Sequence, residues 1–195
     1  MPLDADKQRQ LVVRSQDGDD AAFCELINHH QARLFRIAYM IIHDRMDAED
    51  VVQESLITAW RRLHLLEDPK AFSGWVSQIT SRSAIDAVRK HTRRATDSAE
   101  SQTLEDASQP NLGSYTSSNR AHDPASRAVV NAQLEALAEI LQTIEPRNRA
   151  CWVLYEIDGQ SYREIAKIVG ASEATVRGRI ARARSTIIDR MKDWR

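Results

Sequence analysis

The sequence predicts an all-α protein made of two small helical domains. Apolar residues recur three and four positions apart through most of the chain, which is the spacing of one helix face. Only 6 glycines and 5 prolines occur in 195 residues, so few positions interrupt helices. Residues 95–124 lack this periodicity and are rich in Ser, Thr, Asp, Asn and Gln. We therefore predict domains of residues 1–94 and 125–195, joined by the flexible linker 95–124.

Composition narrows the function classes. The net charge of −1 hides any local basic region, so the distribution of charge matters more than its sum. Cys24 and Cys151 lie far apart in sequence, which predicts two buried apolar residues rather than a zinc site or a disulfide. The polar start of the chain predicts no signal peptide, and the apolar run 37–42 is too short to span a bilayer. We expect a cytoplasmic protein without membrane insertion.

The first block contains three predicted helices. Asp19 or Asp20 is expected to cap the first of them, and Pro69 suits an early position of the third. The helix that follows "HDRMDAED" places a set of apolar residues on one side: Val52, Leu56, Ala59, Trp60 and Leu63. The third extends from Phe72 to about Arg94.

The second block ends in the pattern of a helix-turn-helix. A long helix is expected over roughly 125–143, and Pro146 ends one helix or opens the next. Ser161 and Glu164 then form a capping box at the start of a short helix. Gly170 suits the left-handed residue that ends this helix, and Ser172 suits the cap of the next. Two short helices joined by such a turn predict a helix-turn-helix.

The last helix separates apolar from basic positions. At about 100° per residue, one face collects the apolar side chains of Val176, Ile180, Ala183 and Ile187. Arg179 and Arg182 point away from that face, while Arg177 and Arg184 flank it. In a helix-turn-helix the second helix enters the major groove, where arginines bond guanine edges or phosphates. A solvated basic helix is the alternative.

The segment "DAEDVVQESLITAWRRL" (47–63) predicts a second surface. Asp50 and Glu54 face outward, with Gln53 and Ile57 beside them. Carboxylates beside an exposed apolar residue suit a basic protein partner. Metal binding by paired helices would need Glu-x-x-His pairs, and no Glu here has His three residues later. A solvated helix start is the remaining alternative. We predict no metal and no cofactor.

The segment 72–94 interleaves aromatic and basic residues. Phe72 and Trp75 precede a set of basic residues: Arg82, Arg89, Lys90, Arg93 and Arg94. Aromatic residues at helical spacing are usually core, but aromatic and basic groups together also engage unstacked single-stranded bases.

These motifs resemble those of the extracytoplasmic-function (ECF) sigma factors, the small two-domain branch of the sigma-70 family of bacterial RNA polymerase. "DAEDVVQESLITAW" and "AIDAVRK" resemble the family's region 2, and "GQSYREIAKIVGASEATVRGRIARAR" resembles its region 4. The resemblance covers nearly the whole chain. It implies a promoter-specific transcription initiation subunit that binds core RNA polymerase, recognises −35 and −10 elements and helps to melt the −10 region.

The resemblance also implies roles for single residues. The surface that docks on core polymerase would contain Asp50, Gln53 and Glu54. The part that melts and reads the promoter −10 element would contain Phe72, Trp75, Arg82, Asp86, Arg89 and Arg93. The −35 element, as duplex DNA, would be contacted by Ser172, Thr175, Arg177, Arg179 and Arg182. The linker would thread toward the RNA exit channel, and an anti-sigma factor is an implied partner.

Two positions depart from the family pattern. Many relatives have Arg-Asn where this chain has Ser81-Arg82, which implies an atypical −10 preference. Gly178 stands where a Ser or a basic residue is common. A polymerase-independent helix-turn-helix regulator with an N-terminal sensing domain is the alternative function. An enzyme is disfavoured, because the sequence shows no catalytic constellation.

Overall fold

The computed structural model describes residues 3–98 and 137–192, and all regular structure in these two stretches is helical. The chain divides into two compact units between Ser117 and Ser118. The predicted all-α fold with two small domains is confirmed. Residues 99–124 of the predicted linker lie outside the described residues.

The first unit contains four α-helices: α1 (Ala5–Gln16), α2 (Asp20–Ile42), α3 (Arg45–Arg62) and α4 (Phe72–Ser98). Two short 3-10 turns, Leu63–Leu65 and Pro69–Ala71, connect α3 to α4. Helix α2 packs against α1, α3 and α4, and α3 also packs against α4. Their shared core is built from the large apolar side chains of Leu26, Leu34, Ile37, Met40, Ile41, Leu63 and Phe72.

Local capping explains where α2 and α3 begin. The Asp19 carboxylate accepts from the backbone N–H of Ala22 at 3.0 Å, as predicted for this cap. Helix α2 ends at Ile42, and the residue that caps it, His43, has a left-handed φ of 64°. The Asp44 carboxylate then accepts from the N–H of Asp47 at 2.9 Å and starts α3. A single capping turn therefore separates α2 from α3.

The first unit differs from the sequence-based expectation at three places. Helix α1 was not predicted; it lies against α2 and the 3-10 turns. Pro69 opens the second 3-10 turn, three residues before α4. Helix α4 continues to Ser98, past the predicted end of this helix at about Arg94.

The second unit contains α5, of which residues 137–142 are described, followed by α6 (Pro146–Glu156), α7 (Tyr162–Val169) and α8 (Glu173–Lys192). Pro146 opens α6, and the Glu145 carboxylate caps it by accepting from the N–H of Asn148 at 3.0 Å. Helix α8 packs against α6 and α7. The predicted helical residues 125–136 lie outside the described residues.

The two cysteines have different environments. Cys151 is buried in α6, as predicted. Cys24 is exposed on α2, so the prediction that it is a buried apolar residue is wrong. The side of α2 that faces the core contains Phe23, and the next residue, Cys24, lies outside that side. Both thiols are reduced and unpaired with each other.

Candidate nucleic-acid interface and protein-docking groove

The turn of the helix-turn-helix has the predicted geometry. The Glu164 carboxylate accepts from the Ser161 N–H at 2.9 Å, and the Ser161 hydroxyl accepts from the Glu164 N–H at 3.3 Å. Hydrogen bonds from Ser161 lower the pKa of Glu164, the Ser161 hydroxyl contributing most. Gly170 ends α7 in the left-handed region, with φ of 65°. The orientation of α7 relative to the turn is thus fixed by short-range bonds.

Helix α8 begins at a hydroxyl cap and is anchored by its apolar stripe. The Ser172 hydroxyl accepts from the Thr175 N–H at 3.2 Å, and the two hydroxyls lie 2.9 Å apart. The stripe is buried against α6 and α7, as predicted for Val176, Ile180, Ala183 and Ile187. Burial of this stripe fixes which side of α8 faces solvent.

The arginines of α8 have unequal environments. Arg182 is exposed, and its guanidinium makes no hydrogen bond or ion pair within the described parts of the chain. It extends over Gly178, where the Cβ of any larger residue would lie 3.8 Å from its Nη1. Arg179 is only half-exposed, and its guanidinium opposes the rise that burial causes in the pKa of the Cys151 thiol of α6. The prediction of outward arginines therefore fits Arg182 fully and Arg179 in part.

Two tyrosines and two arginines form a row along one flank of α8. The rings of Tyr155 and Tyr162 stack at 4.8 Å, 10° from parallel. The Arg177 guanidinium lies 5.2 Å from the centre of the Tyr162 ring, and that of Arg184 lies 5.4 Å from the Tyr155 ring. Arg184 also donates from Nε to Glu156 at 2.9 Å. A hydrogen bond with Tyr155, followed by burial, raises the pKa of Tyr162, so the Tyr162 phenol is neutral at physiological pH.

Helix α3 presents the predicted acidic surface. Asp50, Gln53 and Glu54 are all exposed, and their side chains make no hydrogen bond or ion pair within the residues that the structure describes. Ile57, one turn further, is 48% exposed. The carboxylates are therefore available to a basic partner.

An apolar groove of about 440 Å³ lies next to these residues, between α2 and α3. It is lined by Asp20, Phe23, Cys24, Ile27, Gln53, Leu56, Ile57 and Trp60. Trp60 was expected to point inward with Leu56, but it is 37% exposed and leans on Phe23, with ring centres 4.7 Å apart. Sequence reasoning missed the groove, because its second wall comes from α2.

Helix α4 carries the predicted aromatic-basic residues in different environments. Phe72 is 1% exposed, so its ring belongs to the core and is not offered to a ligand. Trp75 is half-buried, with its ring 6.1 Å from that of Phe72. Arg82 is exposed, and Arg89 pairs with Asp86 at 3.1 Å on the same exposed side. The side chain of Arg93 lies outside the described residues.

His30 on α2 is a half-buried titratable group beside Phe72. Its ring meets the Phe72 ring edge-on, 5.4 Å between centres, and its Nε2 has no hydrogen-bond partner. Burial lowers the pKa of His30 to about 4, and the charges of Arg33 and His29 add to the effect. His30 is thus neutral in the folded protein near pH 7.

Two further kinds of site are absent from the described residues. No three His, Cys, Asp or Glu side chains there are grouped so that they could hold a metal ion. None of the helices in the same stretches has the length and apolar character needed to cross a membrane.

Comparison with known proteins connects both units to one family. Residues 26–94 match the family "Sigma-70 region 2", and residues 134–187 match "Sigma-70, region 4". The RNA polymerase sigma-H factor of Pseudomonas aeruginosa is 32% identical over 188 residues, which are 95% of this chain and 94% of the relative. The ECF RNA polymerase sigma factor SigE of Mycolicibacterium smegmatis is 33% identical over 95% of this chain and 68% of its own length.

Another relative is longer, and two solved structures share the fold. The chain spans 40% of the probable RNA polymerase sigma factor RfaY of Xanthomonas campestris, to which it is 31% identical. CnrH, solved with the cytosolic domain of CnrY, superposes with a TM-score of 0.61 at 23% identity over 96% of this chain and 98% of CnrH. RpoE of Bartonella quintana, solved with the anti-sigma factor NepR, gives 0.60 at 22% identity over 87% of this chain and 96% of RpoE. The chain belongs to the ECF sigma factors of the sigma-70 family, the subunits that give bacterial RNA polymerase its promoter-specific initiation.

Proposed function

We propose that the two units act on different parts of one initiation complex. The domain of residues 1–94 docks on core RNA polymerase and handles the −10 element, and the domain of residues 125–195 reads the −35 element. The linker 95–124 tethers them. Tethering raises the effective concentration of the second unit once the first is bound, so neither unit needs high affinity alone. The near-neutral net charge of −1 suits DNA binding that depends on polymerase.

The docking partner of α3 is a basic helical surface of core polymerase, which in this family is the pair of clamp helices. Three exposed polar residues, Asp50, Gln53 and Glu54, lie beside an apolar groove that contains the half-exposed Trp60. Charge on the rim would steer the encounter, and burial of Ile57 and Trp60 would supply affinity. This pairing of exposed carboxylates with an unfilled groove is the observation that carries the proposal.

The −10 element is handled by α4. Exposed Arg82 and Arg89 supply positive charge, and the half-buried ring of Trp75 lies near the start of the same helix. Bases captured from a melted strand offset the cost of unpairing, so capture favours opening. Arg82 replaces the asparagine usual in the family, and its planar guanidinium stacks on a base instead of holding it by an amide. Phe72 supports this helix from the core, and Asp86 orients Arg89.

The −35 element is read by the N-terminal half of α8. Ser172 and Thr175 lie at its first turn, where backbone N–H groups attract phosphate. Arg177 and Arg182 are exposed further along the helix and suit guanine edges or phosphates. Arg179 is half-exposed and its guanidinium acts on the buried Cys151 thiol, so we assign it the smallest share of the contact.

An inhibitory partner suits the same docking groove. CnrH and RpoE were each solved with a bound protein, the cytosolic domain of CnrY and the anti-sigma factor NepR respectively. A protein that covers the groove between α2 and α3 would exclude core polymerase. We propose that the chain works in the cytoplasm, where polymerase works, and acts by binding rather than by catalysis.

The first test combines charge reversal on α3 with reconstituted transcription. The double variant Asp50→Lys and Glu54→Lys should lower affinity for core polymerase by about tenfold or more, since two rim attractions become repulsions. Glu67→Lys, an exposed acid outside α3, is the matched control and should bind core as the wild type does. Affinity is measured by fluorescence anisotropy of labelled protein titrated with core.

Transcription by the wild type then tests the function itself. Core polymerase with the full chain should initiate at defined sites on genomic DNA, and mapping the starts gives the promoter elements. Sequence-specific DNA binding without core, together with no transcription, would favour the polymerase-independent regulator. Unchanged core affinity of the double α3 variant would place the docking surface elsewhere while leaving the family function intact.

A further inference from the structure

The row of arginines and tyrosines beside α8 joins three helices. Tyr155 belongs to α6, Tyr162 is the first residue of α7, and Arg177 and Arg184 lie seven residues apart on α8. Seven residues are about two helical turns, so both arginines lie on the same flank. The two stacked rings occupy the space between them. The row therefore runs Arg177, Tyr162, Tyr155, Arg184.

One end of the row is fixed and the other is open. Arg184 is held to Glu156 through two nitrogens of its guanidinium, so its edge is occupied. Arg177 is 64% exposed, and its closest carboxylate oxygen, on Glu173, is 4.0 Å away. The flat face of the Arg177 guanidinium therefore contacts the Tyr162 ring, whereas its N–H groups have only the distant carboxylate of Glu173 as a partner.

A guanidinium uses different parts for stacking and for hydrogen bonding. Its flat face is attracted to the negative face of an aromatic ring. Its five N–H donors point outward in the plane of the group, so a stacked arginine keeps them for a carboxylate, phosphate or base. Stacking also removes rotamers that a long side chain would otherwise lose on binding. Tyr162 can therefore orient Arg177 without consuming its donors.

From these contacts we infer that Tyr162 is a positioning residue for −35 recognition, holding Arg177 in the orientation in which it meets DNA. Tyr155, itself fixed by Arg184 and Glu156, is the base on which Tyr162 stacks. This inference rests on the proposed reading of the −35 element by α8. Its ligand is the phosphate or guanine edge of duplex DNA that Arg177 would contact.

The arrangement differs from ordinary core packing. The tyrosine rings are both half-exposed, whereas the apolar stripe of α8 holds the unit together separately through Val176 and Ile180. The role of Tyr162 depends on the electron-rich face of its ring rather than on filled volume. Phenylalanine at 162 keeps that face, and leucine keeps apolar bulk without it.

The test is a double-mutant cycle on full-length protein in complex with core polymerase. The variants are Tyr162→Phe, Tyr162→Leu, Arg177→Ala and the double variant Tyr162→Leu with Arg177→Ala. Equilibrium binding is measured to a promoter fragment from start-site mapping and to the same fragment with its −35 element scrambled. Circular dichroism and core affinity show that each variant is folded and assembled.

We expect Tyr162→Leu to weaken binding to the intact promoter by about two- to fivefold. Tyr162→Phe should bind as the wild type does. In the Arg177→Ala background, Tyr162→Leu should have no further effect on either fragment. That pattern separates positioning from general stability. If Tyr162 only stabilised the unit, the effects of Tyr162→Leu and Arg177→Ala on promoter affinity would add. A loss confined to the intact fragment would assign a guanine edge to Arg177, and an equal loss on the scrambled fragment would assign a phosphate.

Three results would overturn the inference. Additive effects of Tyr162→Leu and Arg177→Ala would show that the two residues act separately. Equal losses in Tyr162→Phe and Tyr162→Leu would assign the role to the hydroxyl. Full promoter affinity of Arg177→Ala would remove the residue that Tyr162 is said to orient. Transcription by the wild-type chain from the mapped promoter would still leave the proposed function standing.

Discussion

The two units display their functional residues on different kinds of surface. In the first unit, the proposed polymerase-docking residues of α3 lie beside an apolar groove that needs α2 as its second wall. In the second unit, the proposed DNA-contacting residues lie on the single helix α8, which Ser172 caps at its first turn, while Ser161 caps the preceding helix α7. The first surface is formed by residues of two helices, whereas the second is formed by residues of one helix that share its exposed side.

This difference has an energetic consequence for the two proposed contacts. A groove that contains Phe23, Ile57 and Trp60 gains affinity by removing apolar surface from water, which depends little on salt. A helix that presents arginines gains it by displacing counterions, which depends strongly on salt. Promoter recognition should therefore weaken with ionic strength before core binding does.

The largest effect should come from breaking the packing of the first unit. Phe72→Ala removes a ring that is 1% exposed beneath α4, and the cavity should lower the free energy of unfolding by about 3–5 kcal/mol. Hydrogen exchange followed by mass spectrometry measures this separately for α4 and for α8. The loss should appear in α4 and leave α8 unchanged, since the two helices belong to different compact units.

Trp75→Ala tests whether an aromatic ring of α4 contacts the melted −10 strand. Its half-buried ring should cost less stability than that of Phe72, and promoter opening should fall instead. Permanganate footprinting of the −10 region reports opening directly. If Phe72→Leu, which refills most of the cavity, abolishes opening while stability is retained, Phe72 would contact DNA after all.

The sequence was most informative where a feature depends on neighbours in the chain. The capping box at Ser161, the left-handed Gly170, the cap at Ser172 and the buried stripe of α8 were all predicted in position. Each rests on local hydrogen bonds or on helical periodicity, and both can be read from spacing alone. The two-domain all-α fold followed from the same signals.

The remaining features required contacts between distant segments. Helix α1 has few apolar residues, and its Gln16 amide is satisfied by the carbonyls of Leu63 and Leu66, at 2.9 Å each. The sequence of α1 alone does not predict that its Gln16 would bond to the carbonyls of Leu63 and Leu66. Trp60 is half-exposed because Phe23 of α2 occupies the core position beside it. Helix periodicity predicts which residues share a face but cannot show which helix covers it.

A smaller effect should separate two arginines of α8. Arg182 is exposed with no ion pair among the described residues, and Arg184 is bound to Glu156. Arg182→Ala should weaken −35-dependent promoter binding by about 1–3 kcal/mol, the range of a good base contact. Arg184→Ala should weaken it less, since that guanidinium is already engaged within the unit. Binding is measured with the polymerase complex at fixed salt.

Core affinity provides the control for both arginine variants. Neither residue belongs to the first unit, so titration with core polymerase should give the wild-type value. Equal losses of promoter binding in the two variants would contradict the distinction between exposed and paired arginines. Loss of core binding in Arg182→Ala would mean that α8 contacts polymerase rather than the −35 element.

Lowering the pH should reduce the stability of the first unit before that of the second. His30 has a folded-state pKa of about 4 against an ordinary value of 6.5, so the unfolded chain takes up a proton between these values and the folded chain does not. Stability of the first unit should therefore fall as pH drops below about 6.5, by on the order of 1 kcal/mol at pH 5.5. The described part of the second unit contains no histidine.

Hydrogen exchange at pH 7 and pH 5.5, corrected for intrinsic exchange rates, compares the two units in one sample. His30→Leu should flatten the response of α2 and α4, because it removes the group that must be kept neutral beside Phe72. His64→Leu, at an exposed position of the same unit, should retain the response. An equal loss of protection in α8, or an unchanged response in His30→Leu, would mean that acid acts through other groups and that burial of His30 does not distinguish the two units.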